Sequence, residues 1–172
     1  AQVLQIIDLI RDRTRYDHDK PYIYLDMPYL PFARQDKAFD EDTTFALNSF
    51  AKTLNSRDIN VITSFDVHSK VANKVIRNFH SISPLEFQNE AFRKFKADLT
   101  FYPDSGAAMR YSNYVNEIMV YGVKVRDQIT GEIKEYKTAN ETNFDLKGKR
   151  VLIIDDLCDA GGTFILAAKA LK

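Results

Sequence analysis

Residues 151–163, Val-Leu-Ile-Ile-Asp-Asp-Leu-Cys-Asp-Ala-Gly-Gly-Thr, constrain the fold more than any other stretch of this 172-residue chain. Four consecutive apolar residues, Val151 to Ile154, predict a buried strand, and a loop leaves from its C-terminal end. That is where open α/β sheets bind ligands. Gly161 and Gly162 allow backbone N–H groups to approach a phosphate closely, and the helix predicted to follow offers its positive N-terminal end. Thr163 adds a hydroxyl donor. Asp155 and Asp156 would repel a bare phosphate; they suit the hydroxyls of a sugar, or a Mg²⁺ held directly or through water. No Gly-Lys-Ser/Thr follows the glycines, so the stretch is not a Walker loop.

Upstream, short β-branched or aromatic runs alternate with segments of helical spacing. Helices are expected over 1–13, in a segment capped by Thr43 that carries Leu47, Phe50, Ala51 and Leu54, over 70–79, around Phe87 to Phe95, over 107–115 and over 164–171. Strands are expected over 22–25, 59–65, 99–102, 118–125 and 151–154. The polar stretch 126–147, with Thr130-Gly131, reads as a mobile hairpin or flap. This alternation predicts an α/β fold, a parallel sheet flanked by helices. The Ser-Ile-Ser-Pro run near 81–85 marks a seam, dividing the chain into 1–82 and 83–172.

Composition narrows the class. The chain carries 24 Lys plus Arg against 24 Asp plus Glu, a formal net charge of zero, which argues against a nucleic-acid binder, since those need excess cations to displace counterions. Its single cysteine, Cys158, excludes an internal disulfide framework and a multi-cysteine zinc site. No apolar run approaches the ~18 residues of a membrane span. The expectation is a cytosolic, cytoplasmic protein with neither nucleic acid nor membrane as partner.

Four further segments carry chemistry. In Pro28-Tyr29-Leu30-Pro31-Phe32-Ala33-Arg34-Gln35-Asp36-Lys37, a proline-stiffened loop presents a guanidinium, whose planar fork suits polyphosphate, beside an amide. Phe65-Asp66-Val67-His68-Ser69 places an acid and an imidazole at a predicted strand end. Pro103-Asp104-Ser105-Gly106 forms a turn between strand and helix. Lys124-Val125-Arg126 puts two cations where a strand enters the polar flap.

Taken in order, these segments resemble the ribose-phosphate diphosphokinases, which have the type I phosphoribosyltransferase fold. The resemblance runs over nearly the whole chain and implies transfer of diphosphate from Mg²⁺-ATP to ribose 5-phosphate, giving phosphoribosyl diphosphate and AMP. It implies that Lys124 and Arg126 stabilise the transferring phosphates. Asp104, Asp155, Asp156, Asp159, Ala160, Gly161, Gly162 and Thr163 would hold the ribose phosphate. Arg34, Gln35 and His68 would bind ATP, and Asp66, His68 and Asp104 would be magnesium partners, partly through water. A homo-oligomer is implied as well.

The chain departs from the family pattern in three places. Ala38-Phe39 follow Arg34-Gln35-Asp36-Lys37 where charged residues are usual. Ser105 and Ala107 stand in a loop that reads Pro-Asp-Ala-Gly-Gly in the synthetases, and Asp159-Ala160-Gly161-Gly162 is closer to some transferases. Two alternatives therefore stand beside the first reading: a phosphoribosyltransferase that consumes phosphoribosyl diphosphate, and a non-catalytic synthetase-associated subunit. Family members are built from two similar α/β domains, so the chain is expected to be the central portion of such an enzyme and inactive by itself, with the adenine-binding residues outside it.

Overall fold

The computed structural model describes residues 2–38, 44–111, 120–126, 133–140 and 145–172. The chain divides into two compact units, Ala1–Pro84 and Leu85–Lys172.

The first unit runs α1 (Gln2–Arg13), β1 (Tyr24–Met27), α2 (Ala46–Asn55), β2 (Val61–Phe65), α3 (Ala72–Val75) and β3 (Phe79–Ile82). Its strands form a parallel sheet in the order β1-β2-β3. Burial of Leu25, Leu30, Leu47, Ala51, Leu54, Ile62 and Phe79 makes one core beneath the helices. In α1 only Ile7 is fully buried, while Val3, Ile6 and Leu9 face outward, because the apolar face of that helix is wider than the stripe it packs with. The expected cap of α2, Thr43, lies outside the described residues; Phe45 stands at the N-cap and supplies no side-chain cap.

The helix expected over 70–79 is corrected here. It is a single turn, and Phe79 begins a strand paired with Ile62 of β2. The Asn55 side chain ends the helix, its amide donating to the Val75 carbonyl at 2.8 Å and its oxygen accepting the Arg77 N–H at 2.9 Å. Ile76 is then extended, and Asn78 turns the chain with a φ of 54°. Val71, Val75 and Phe79 fall at helical spacing, but only the two valines lie in the turn, while Phe79, an aromatic suited to a strand, enters the sheet.

The second unit runs α4 (Leu85–Phe95), β4 (Leu99–Tyr102), α5 (Ser105–Tyr111), β5 (Val120–Arg126), β6 (Ile133–Asn140), β7 (Val151–Ile153) and α6 (Gly162–Ala170). Its strand order is β6-β5-β4-β7. β4 is parallel to both β5 and β7, while β6 returns antiparallel to β5 as a hairpin. The polar 126–147 stretch therefore holds a regular edge strand, with Thr130-Gly131 outside the described residues. All four residues of β4 are buried, as expected of a central parallel strand. Leu99, Phe101, Val120 and Ala167 form the core on one side, and Tyr102, Ala107, Ala108 and Tyr111 form a second cluster. β4 and β7 lie side by side in parallel register, Phe101 opposite Ile153, so the turns that follow them emerge at the same sheet edge.

Candidate functional site

In the second unit, the turn after β4 is organised by Asp104. Its Oδ1 accepts the Ala107 N–H at 2.9 Å, capping α5 from outside the helix. Its Oδ2 accepts from Lys124 Nζ at 2.9 Å, and the Lys124 side chain is only 11% exposed. Burial pushes the Asp104 carboxyl upward, but the Ala107 and Gly106 amides and the Lys124 ammonium outweigh it and hold the group below its usual value. Lys124 therefore leaves β5 aimed at a carboxylate at the sheet's C-terminal edge. Arg126 ends β5, and its side chain lies outside the described residues.

The turn after β7 is charged differently. Burial raises the Asp155 carboxyl, and the neighbouring charges of Asp156 and Asp104 raise it further, against the partial relief of the Asp156 N–H at 2.9 Å. Asp156 is 7% exposed and ion-paired with Arg110 Nη1 at 3.1 Å. Arg110 in turn lies over the Tyr111 ring, 5.3 Å from its centroid, and Tyr111 stacks on Tyr102. Asp159 and Ala160 are exposed. Gly161 has a φ of 76°, the left-handed region that glycine adopts without penalty, and it delivers the chain into α6 with no side-chain cap. The first turn of α6 thus presents backbone donors to the loop that precedes it, with Thr163 among them, the arrangement that anions favour.

Tyr136 on β6 completes this edge. Its hydroxyl donates to the Pro103 carbonyl at 3.0 Å. Burial, together with the charges of Asp104 and Asp155, pushes its phenol up to about 12, so it stays protonated and a donor at neutral pH.

In the first unit the proline-rich segment is a tight, anchored loop. Leu30 and Ala33 are buried, Phe32 turns the chain with a φ of 63° and packs on Phe50 at 5.7 Å, and the Gln35 carbonyl accepts the Leu47 N–H at 3.2 Å. That construction leaves Arg34 and Gln35 exposed. Arg34 Nη1 reaches His68 Nδ1 at 3.3 Å, so two of the residues expected at a nucleotide come together. Asp66, with a φ of 42°, donates its N–H to the Ile82 carbonyl at 2.9 Å and bends the chain out of β2 toward His68. His80 is an exposed residue of β3, and His18 is exposed.

Among the described residues no three His, Cys, Asp or Glu side chains gather as a metal cage. Mg²⁺ does not require one, taking one or two carboxylates and completing its shell with water and substrate phosphate. The donor chemistry fits such an ion, and Asp104 already carries a cation, the Lys124 ammonium, against its carboxylate.

Two partners were not visible in the sequence. Arg110 precedes an aromatic in an ordinary amphipathic helix, and nothing local ties it to Asp156, 46 positions away. Tyr136 sits in a polar stretch that reads as flap. Its one signal is Gly122, a glycine inside a predicted strand, which marks a close approach.

The phosphoribosyl transferase domain family matches residues 105–172, the portion that contains Lys124 and the Asp155–Thr163 turn. The ribose-phosphate pyrophosphokinase of Saccharolobus solfataricus is 28% identical over 157 residues, covering 83% of this chain and 50% of that protein. The enzyme of Aeropyrum pernix is 30% identical over 156 residues, covering 87% of this chain and 49% of its own length. The crystal structure of phosphoribosylpyrophosphate synthetase from Mycobacterium smegmatis superposes with a TM-score of 0.74 over 98% of this chain and 54% of that one, at 20% identity, a likeness of fold.

The class is thus an α/β protein of phosphoribosyl transferase type. Within that class, the chain is similar to ribose-phosphate pyrophosphokinases over more than four-fifths of its length. It spans about half the length of the curated relatives it matches.

Proposed function

We propose that the protein carrying this chain transfers diphosphate from Mg²⁺-ATP to ribose 5-phosphate. The anomeric hydroxyl attacks the β-phosphorus of ATP, the bond from that phosphorus to the oxygen shared with the α-phosphorus breaks, and AMP leaves while the hydroxyl proton passes to solvent. One observation carries the reading. Lys124 is held at 2.9 Å on Asp104, at the end of the strand beside β7, whose own turn leads into the uncapped N-terminus of α6. That juxtaposes a cation for transferring phosphates with a cradle for a sugar phosphate.

In this reading Asp159 to Thr163 hold the 5-phosphate through backbone amides and the Thr163 hydroxyl. Asp155 faces the ribose hydroxyls, and protonation or a nearby cation relieves its crowding with Asp156 and Asp104. Asp156, paired with Arg110, shapes the loop as well as the sugar site. Lys124 and Arg126 meet charge that spreads over non-bridging oxygens, where positioned cations supply most of the acceleration. Arg34, Gln35 and His68 form the ATP-binding set of the first unit. Asp66 and His68 in the first unit, and separately Asp104 in the second, are the candidate partners of Mg²⁺, which when bound would neutralise phosphate charge. The two units are proposed to be the parts of two related domains that meet near residue 82. A homo-oligomer and a cytoplasmic location belong to the same reading, tested by light scattering and by fractionation.

Release of AMP from ATP, dependent on ribose 5-phosphate, tests the proposal with the intact protein. Equimolar AMP and phosphoribosyl diphosphate are expected. Formation of a nucleotide from a free base and phosphoribosyl diphosphate would replace this reading with a transferase. Binding of both substrates without turnover would replace it with a non-catalytic subunit.

A further inference from the structure

We propose that Tyr136 is a positioning residue for Lys124, the hydroxyl arm of a two-point clasp by which the β5–β6 hairpin grips the Pro103–Asp104 turn. The proposal rests on the diphosphokinase reading, which gives Lys124 its task.

Lys124 and Tyr136 are directly opposed in the antiparallel ladder, so their side chains share one face of the hairpin. They hold consecutive residues of the same turn. Tyr136 Oη donates to the Pro103 carbonyl at 3.0 Å, and Lys124 Nζ donates to Asp104 Oδ2 at 2.9 Å. Gly122 lies two residues before Lys124 and so on the same face. A Cβ at Gly122 would stand 2.1 Å from Tyr136 Oη, 2.4 Å from its Cζ and 2.6 Å from the Pro103 carbonyl oxygen. The end of the tyrosine ring therefore lies across the bare backbone of Gly122, and any side chain there would evict it.

Packing alone does not call for this arrangement. The ring packs against the cluster of Leu99, Phe101, Val120 and Ala167, a role phenylalanine would fill. What the hydroxyl adds is a partner for the carbonyl of a fully buried residue, Pro103, and buried carbonyls require one. On its far side the turn is fixed by the Ala107 N–H on Asp104 Oδ1. With the hydroxyl gone, the Pro103–Asp104 turn loses one of its two holds on the hairpin and opens more often, Ala107 N–H included, and the aim of Lys124 loosens with it. A cation that stabilises a transition state loses effect with small displacements.

The test is Tyr136→Phe in the intact protein, read by kinetics and by amide hydrogen exchange. The expected result is a kcat about 10-fold lower with KM for ribose 5-phosphate and ATP within about twofold. Exchange at the Asp104 and Ala107 amides should be about 10-fold faster, with Lys137→Gln, an exposed neighbour on β6, matching wild type in both. Gly122→Ala should reproduce Tyr136→Phe; if it does not fold, Tyr136→Phe decides alone. Unchanged kcat together with unchanged exchange at those amides would overturn the proposal, as would a loss of global stability with no local change in exchange. If the wild-type protein has no diphosphokinase turnover, the functional reading fails instead, and the exchange measurement still decides the clasp.

Discussion

Asp104 and Asp155 follow neighbouring parallel strands, and each is partly buried, yet their carboxyls move in opposite directions. Burial pushes both upward. Asp104 ends below its usual value because two amides and the Lys124 ammonium face it. Asp155 ends above because burial raises it and Asp156 and Asp104, facing it, add to the rise instead of opposing it. The difference shows that at this sheet edge partners, rather than depth, decide which carboxylate is settled and which is left wanting a donor or a cation. A settled group holds the machinery in place; an unsettled one has affinity to spend on a ligand.

Removing the settled side of this comparison should have the largest effect. Lys124→Ala is expected to lower kcat by about 10³-fold, the size associated with loss of one transition-state donor. Steady-state kinetics at saturating substrates measure it, and a fall confined to KM would argue that the ammonium only binds.

Next comes the pair behind the unsettled side. Arg110→Ala leaves Asp156, 7% exposed, without its guanidinium, and should cost about 3 kcal/mol in urea unfolding. A cost below about 1 kcal/mol would mean that Asp156 finds water or another donor.

The smallest effects carry the sharpest contrast, because their signs differ. Asp104 has a folded value below its unfolded 3.8, so its stabilisation is present above pH 3.8 and is lost as pH falls through the folded value. Asp104→Asn should destabilise at pH 7, with the gap to wild type closing on acidification. Asp155 has a folded value above 3.8, so its ionisation penalises the fold increasingly as pH rises through that value. Asp155→Asn should stabilise the apo protein at pH 7, and the gain should vanish below pH 3.8. Urea titrations at several pH values read both, and two variants shifting in the same direction at pH 7 would break the comparison.

Much of this site was legible in the sequence because its chemistry is local. The run from Val151 to Thr163 states a strand, a loop and a helix start within 13 positions, and the structure has β7, the Gly161 turn and α6 there. Lys124, Arg34 and His68 were singled out because their short segments resemble those of the diphosphokinases, and the fold joins Arg34 and His68 at 3.3 Å. What was not legible depends on contacts between distant elements. Arg110 meets Asp156 only because α5 packs beside the end of β7, and Tyr136 meets Pro103 only because β6 folds back on β5. The helix expected over 70–79 failed for the same reason. Asn55, some twenty residues earlier, supplies the two hydrogen bonds that end it.

The claim that the Asp104–Lys124 edge and the Asp155–Thr163 turn serve one diphosphoryl transfer is tested most directly by following a label. The intact protein, given Mg²⁺, ribose 5-phosphate and ATP labelled at the β-phosphorus, should place the label wholly in phosphoribosyl diphosphate and release unlabelled AMP in equal amount. Label appearing in ADP would contradict the account, and so would label that stays in ATP while a nucleotide forms from added base and phosphoribosyl diphosphate.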